Sequence, residues 1–436
     1  MTANSSHGSH PAGDAFVVVA DDLTGAADAA VHFIPSAGEM LLLDMERPVP
    51  EGIQAGTSGF ALNTASRNLG QREAVRLVTR ATEFLSALSL RLIYKKMDSQ
   101  LRGRPGLEVE TLRKGLGLAC AFVAPAYPEQ GRATRDSIHL VHGIPVAEGE
   151  AGKDPVTPVT RSSLPELIAD QAGVMTSHVY LKDLDQGIEE VYRKIGGFMK
   201  QGVRVITFDA VHREHLDMVA RLGLERFPGT LLAGSAGLAL SAAALVNRGS
   251  LRTQPSLPLC RSFLFACGSA SRVLHQQADR LISQGQCGEA RIGPETLTDA
   301  DRWKTLKKAA KEAWTKGDLL IRISPKPASP LPVDVDTDAL LSRLAALVVG
   351  LLEQKATNGI FSSGGDTARK VLRETNARAI RIKGQACPGM AWGVAEGGTL
   401  NGVVTVTKAG AFGREQDLVH LYRMLKGASD THGQKS

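Results

Sequence analysis

Short apolar runs that pass directly into glycine-rich or small-residue turns recur along this chain, and they constrain its fold more than any other feature. The first is Phe16–Ala20 (FVVVA), an unbroken run of the kind that forms a strand buried on both faces of a parallel sheet. It leads into DDLTGAADAAVHF, where Thr24 and Gly25 open an alanine-rich helix. Similar runs stand at Met40–Leu43, Leu92–Tyr94, Ala121–Ala124, Val203–Phe208 and Leu231–Ala233, with helical stretches over Gln71–Leu88 and Ile188–Met199. Strands that alternate with helices in this way predict an α/β domain with a doubly wound, mainly parallel sheet.

The pattern breaks after Asn247. Residues 248–259 (RGSLRTQPSLPL) are polar, basic and prolyl, as expected of a linker. A second β/α series comes next, with strands expected at Ser262–Cys267, Leu319–Ile323, Gly359–Ser362 and Val403–Thr407 and a helix over Asp338–Gln354. A chain of 436 residues also exceeds what one core usually sustains. Two α/β domains are therefore expected, at 15–247 and 260–426. Residues 1–14 and 427–436 read as disordered polar tails, and the proline-rich Ser324–Val335 as a surface loop.

Composition narrows the function. A 43% hydrophobic, 22% charged chain is globular. Its net charge of +6 is dilute, and no run of five or more Lys/Arg points to nucleic acid. The uncharged stretch Thr230–Asn247 only just reaches spanning length and is interrupted by Gly234, Ser235, Gly237 and Ser241, so no membrane segment is expected. Five scattered cysteines without a C-x-x-C, and an N-terminus lacking a basic or apolar leader, suggest a soluble cytoplasmic protein.

The segments directly after the strands carry the chemistry. Asp21 and Asp22 stand after the first strand, where open α/β sheets gather ligands. One carboxylate can cap the helix while the other faces a ligand; the alternative is that both are caps. YKKMDSQLRGRPG (94–106) packs Lys95, Lys96, Asp98, Ser99, Arg102 and Arg104 after another strand, a set suited to a carboxylate or phosphate beside hydroxyls. PAYPEQGRATRD (125–136) is a rigid loop bearing Glu129, Arg132 and Arg135, able to line a site or brace another loop. In the second half, CGSAS (267–271), SSGGDT (362–367) and KAGAFG (408–413) each place small residues in the turn that leaves a strand, as an anion site needs. Neither a P-loop nor a G-x-G-x-x-G fingerprint is present. The pair His139 and His142 is a weak metal signal, and GSAG (234–237) a weak anion nest.

In this order VVADDLTGA, NTASR, KKMDSQLRG, PAYPEQGR, GSAGLA, CGSAS, SSGGDTA, CPGMAWG and TKAGAFG resemble the four-carbon acid sugar kinase family from about Val17 to Arg423. The resemblance implies an acid-sugar-binding N-terminal domain, a nucleotide-binding C-terminal domain and an active site in the cleft between them. It implies ATP-dependent phosphorylation of the terminal hydroxyl of D-threonate or D-erythronate, or of a 3-oxo-tetronate. Family substrate contacts fall on Asp22, Arg67, Lys96, Met97, Asp98 and Ser99. ATP contacts fall on Ser269, Gly364, Gly365, Asp366, Thr367 and Gly410. Gln100 and Ser137 depart from the family pattern, where Thr and Gly are expected.

On this reading Arg67 and Lys96 take the substrate carboxylate, and Asp22, Asp98 and Ser99 take the hydroxyls. Either Asp22 or Asp98 is the base, with Asp366 as a fallback, and Asp366 lies near Mg²⁺ or its waters. The rivals are a non-catalytic acid-sugar sensor and a nucleotide-dependent ligase. Oligomeric state is not encoded in any motif.

Overall fold

The computed structural model describes residues 15–427 apart from 51, 54, 55, 155, 251, 252, 324–334 and 411. The expected tail 1–14, all of the expected tail 427–436 except Gly427, and all of the expected proline-rich loop except Val335 lie outside the described residues.

The first half contributes β1 (Ala15–Ala20), β2 (Met40–Asp44), β3 (Gly59–Asn63), β4 (Leu90–Lys96) and β5 (Cys120–Ala124). A small antiparallel sheet is built from β6 (Arg132–Arg135), β7 (Ile138–Val141) and β8 (Ile144–Pro145). Then come β9 (Thr176–Val179), β10 (Val205–Phe208) and β11 (Thr230–Gly234). The second half contributes β12 (Phe263–Cys267), β13 (Gly288–Ile292), β14 (Leu319–Ile323), β15 (Gly359–Ser363), β16 (Ala379–Cys387), β17 (Met390–Glu396) and β18 (Val404–Lys408).

The strands of the two expected α/β halves join, among the described residues, in one sheet of fifteen strands. Its order is β13-β14-β12-β15-β18-β17-β16-β2-β3-β1-β4-β11-β5-β10-β9. Each half is mainly parallel, and the halves meet where β16 pairs antiparallel with β2, Ala379–Ile382 against Met40–Leu43. Ion pairs flank this seam: Glu39 with Arg381 and Lys383, Asp44 with Arg373, and Glu46 with Arg369 and Arg373.

The apolar runs do what the pattern requires. All six residues of β1 are buried, with Phe16 and Val18 on one face and Val17 and Val19 on the other. The helix Gln71–Ser86 buries Ala74, Leu77, Val78, Ala81 and Leu85, the spacing of a single helical stripe. One core cluster runs through both halves, joining the helix Leu23–Ala30 and Leu42 to Leu344 and Val348 of the helix Thr337–Gln354. No helix among the described residues is long and apolar enough to cross a membrane.

The shared core makes the seam testable. Leu42 is buried and registers with Ile380 across it. Leu42→Ala should cost about 2–5 kcal/mol and, in calorimetry, shift or split the melting transition as the halves lose their coupling. A melting profile identical to wild type would show that the seam contributes nothing.

Candidate active site

The loops after β1, β3 and β4 converge on a buried lattice of charges. Asp22 caps the helix Leu23–Ala30, accepting from Gly25 N at 2.9 Å and from the Thr24 hydroxyl at 2.8 Å. Arg67, from the loop after β3, donates Nε and Nη2 to the two oxygens of Asp21 at 2.9 Å each, and Nη2 to Asp22 at 3.0 Å. Burial opposes the charge on Asp21, but Arg67 and Lys95 hold its carboxyl below the usual carboxylate range. The two aspartates thus divide the work: Asp21 anchors Arg67, and Asp22 caps the helix while facing outward.

β4 delivers its two lysines to opposite sides, as strand alternation demands. Lys95 points into the floor and pairs with Glu108 at 2.8 Å, both fully buried; burial raises the Glu108 carboxyl, which Ser66 also contacts at 2.9 Å. Lys96 emerges on the ligand side, where Nζ donates to the Met97 carbonyl at 3.0 Å. A Cβ on Gly25 would overlap Asp22 Oδ1, so glycine makes room for the capping carboxylate. Asp98 is pinned by Arg102 at 2.6 Å. Burial works against its charge, yet Arg102 and Arg67 keep it far below the carboxylate range.

His139 braces this loop rather than binding metal. Its Nε2 lies 2.9 Å from the Ser99 carbonyl and Nδ1 lies 3.0 Å from the Thr134 hydroxyl. Burial pushes its pKa down to about 4. The ring is therefore neutral, with Nε2–H donating to Ser99 and Nδ1 accepting from Thr134. GSAG is likewise a packing turn: a Cβ on Gly237 would sit 2.6 Å from the Ala126 carbonyl oxygen.

Three turns of the second half meet at the ends of β12, β15 and β18. Gly364 N donates to Lys408 O at 2.9 Å, and Gly364 has φ +98°, a conformation that favours glycine. A Cβ on Gly410 would overlap the Ser269 hydroxyl, and one on Gly268 the Thr367 hydroxyl. The cradle is polar and incompletely satisfied, because the buried Ser363 hydroxyl has no hydrogen-bond partner among the described residues. Lys408 is buried, with Nζ donating to the Ala409 and Gly410 carbonyls at 3.0 and 3.2 Å. Asp366, in the first turn of the helix Gly365–Glu374, is exposed and stands 3.6 Å from Arg369.

The two sets of loops face each other. A Cβ on Gly365 would come within 2.7 Å of Asp22 Oδ2, so the carboxylate of the first half touches the glycine turn of the second. Arg132 of the first half lies 5.7 Å from the ring centroid of Phe412 in the KAGAFG turn. Of the residues expected at the site, Asp22, Arg67, Lys96 and Asp98 gather on one side and Ser269, Gly364, Gly365, Thr367 and Gly410 on the other. Sequence reasoning passed over Asp28, a half-buried carboxyl whose pKa desolvation raises, within electrostatic reach of Lys96 and Asp22. Its signal was an isolated acid in an alanine-rich helix six residues after Asp22.

Comparison with known proteins agrees with this division. The model of a sugar-binding N-terminal domain matches residues 16–242, and that of a nucleotide-binding C-terminal domain matches 264–418. A D-threonate kinase of Bordetella bronchiseptica is 31% identical, over 94% of this chain and 97% of its own. A D-threonate kinase of Salmonella typhimurium is 26% identical, over 92% and 96%. A D-erythronate kinase of Heliobacterium modesticaldum is 25% identical, over 91% and 94%. Among solved structures, a Haemophilus influenzae protein superposes with a TM-score of 0.69 at 20% identity, covering 94% of this chain and 100% of that one, a likeness of fold alone. Two family models on successive halves, with relatives aligned over nearly their whole length, place this chain in the four-carbon acid sugar kinase family, phosphotransferases with an alcohol group as acceptor.

Proposed function

We propose that the chain transfers the γ-phosphoryl group of ATP to the terminal hydroxyl of a tetronate, D-threonate or D-erythronate ahead of a 3-oxo-tetronate. The observation that carries this reading is the contact of Asp22 with the Gly365 turn, which sets a proton acceptor beside a phosphate cradle. Relatives named D-threonate kinases at 26–31% identity, against 23–24% for those named 3-oxo-tetronate kinases, support the order of preference.

Asp22 is the better-placed base of the two candidates. Asp98 is held by Arg102 and Arg67 in a form that resists protonation, and its contacts are with the first half. Asp22 lies where the halves meet. Arg67, expected to receive the substrate carboxylate, has Nε and Nη2 committed to Asp21 and Asp22. Its role is then to fix the orientation of Asp22, while Asp98 and Ser99 take substrate hydroxyls and Lys96 and Met97 line the same crevice.

On the other side Gly364, Gly365 and Thr367 cradle phosphates at the start of a helix, with Ser269 and Gly410 closing the turn. The unpartnered Ser363 hydroxyl and the buried Lys408 fit such an anion. Mg²⁺ keeps most of its shell in waters and phosphate oxygens and needs few protein ligands, so the exposed carboxylate of Asp366 fits it. When bound, the ion would neutralise charge on the transferred phosphoryl group. Proton removal from the hydroxyl stays with Asp22.

An ADP-release assay over a tetronate panel tests the activity, and no release with any tetronate would overturn it. Asp22→Asn should lower kcat by roughly 10²–10⁴-fold, whereas Asp98→Asn should act mainly on KM. The reverse split would exchange their roles.

Lys408 sets a pH dependence. Burial pushes its pKa down to about 8. A bound triphosphate favours the charged form, so ATP binding is strongest below pH 8 and weakens as pH rises through that value. KM for ATP should rise roughly fivefold between pH 8 and 9 with Mg²⁺ saturating, and the rise should vanish in Lys408→Met. A flat wild-type profile would place Lys408 outside phosphate binding.

A further inference from the structure

We propose that Arg132 is the residue that reads the carboxylate of the acid sugar, and so makes the site specific for acids over neutral polyols. The inference rests on the tetronate reading above. Arg132 opens β6, at the end of the rigid loop after β5, and is 8% exposed. One guanidinium nitrogen, Nη1, donates to the Gln130 carbonyl. Among the described residues, buried Nε has no hydrogen-bond partner and no carboxylate forms an ion pair with the group.

A buried guanidinium without a counter-ion is costly, and proteins keep one where an anion completes it. The other arginines of the site are already matched. Arg67 holds Asp21 and Asp22, and Arg102 holds Asp98 and approaches Asp154 at 3.7 Å. Lys95 is matched too, by Glu108. Of these arginines Arg132 alone lacks an ion pair among the described residues, and burial disfavours its charge: its pKa is pushed down, with Asp98 pulling the other way. A planar fork with free N–H groups suits a carboxylate.

Its neighbours indicate which anion. Asp98, Arg102, Glu150 and Tyr127 all belong to the first half and lie within its electrostatic reach. The acid sugar is therefore nearer than the phosphates cradled by the glycine turns. Phe412 of the second half places its ring 5.7 Å from the guanidinium, a cation–π contact worth most where water is excluded. The carboxylate is thus read at a point that both halves build.

The test compares D-threonate with threitol, which keeps the hydroxyls but replaces the carboxylate by a hydroxymethyl group. Threitol is read as a substrate or, where turnover is too slow, as a competitive inhibitor. Arg132→Gln should lower kcat/KM for threonate about 10- to 100-fold and leave the constant for threitol within about twofold. Arg132→Lys, which keeps the charge without the fork, should fall between. Equal losses on both ligands would assign Arg132 to the phosphoryl group or to structure, and no loss on threonate would remove it from the site; either result overturns the proposal. Wild-type turnover of threonate separately tests the activity. If wild type failed to phosphorylate threonate, calorimetric binding of threonate and threitol to wild type and to Arg132→Gln would still decide the role of Arg132.

Discussion

The four-residue ladder between β2 and β16 is the constraint on which the rest depends. In a flat sheet the reversal at β16 and β17 would point the ends of β15 and β1 in opposite directions, leaving two half-sites at opposite edges. Six strand-to-strand steps separate β15 from β1. At about 20–25° of twist per step, roughly 120–150° accumulates, which cancels most of the reversal. Register shifts within β16 and β17 add local bending. The outcome is the approach of Asp22 to Gly365, with the helices that begin at Leu23 and Gly365 packed together. The flanking pairs of Glu39, Asp44 and Glu46 with arginines and a lysine of the second half fix the register of this approach more than its strength, since half-exposed ion pairs contribute little stability.

Beneath the site the charges are arranged in layers. Lys95 and Glu108 form a fully buried pair, a costly element whose value lies in the geometry it imposes on the loops above. Ser66 ties Glu108 to the loop carrying Arg67, and Arg67 orients both aspartates after β1. His139 supports the Ser99 carbonyl from the side. Each reactive group is therefore held by a neighbour from a different strand end. That is how a site at the edge of a parallel sheet achieves fixed geometry from short loops.

Much of this was legible from the apolar runs and the turns that leave them. β1, β5, β12, β14 and β15 fall within a residue or two of their expected positions, because a strand buried on both faces leaves an unbroken signal. The two α/β halves came from the same pattern, whereas the candidate site residues came from the ordered motifs that carry the family resemblance. Several strands escaped, β3, β6–β9, β13, β16 and β17 among them, and for the last three the reason is physical. β16 and β17 (AIRIKGQAC, MAWGVAE) interleave polar residues and glycines with apolar ones, and their partners are set by distant pairing rather than local propensity. β13 is half-exposed and polar in the same way. The engagement of Arg67 by the aspartates was also hidden, since sequence lists charges without saying which are already spent.

The distribution of spent and unspent charge explains how an overall +6 chain serves two anionic substrates. Asp21, Asp22 and Asp98 draw on Arg67 and Arg102, and Glu108 draws on Lys95, so acids and bases in the floor nearly cancel. The cations left over are Arg132, whose Nε is buried without a partner, and Lys96 and Lys408, whose ammonium groups rest on backbone carbonyls. Backbone carbonyls hold an ammonium in place without neutralising it. Arg132 and Lys96 belong to the first half and Lys408 to the second, so on the proposed reading the uncompensated charge is divided between the two ligands. On that reading the cations attract each anion in turn, and Asp22, whose Oδ1 accepts from Gly25 and Arg67, turns Oδ2 toward Gly365.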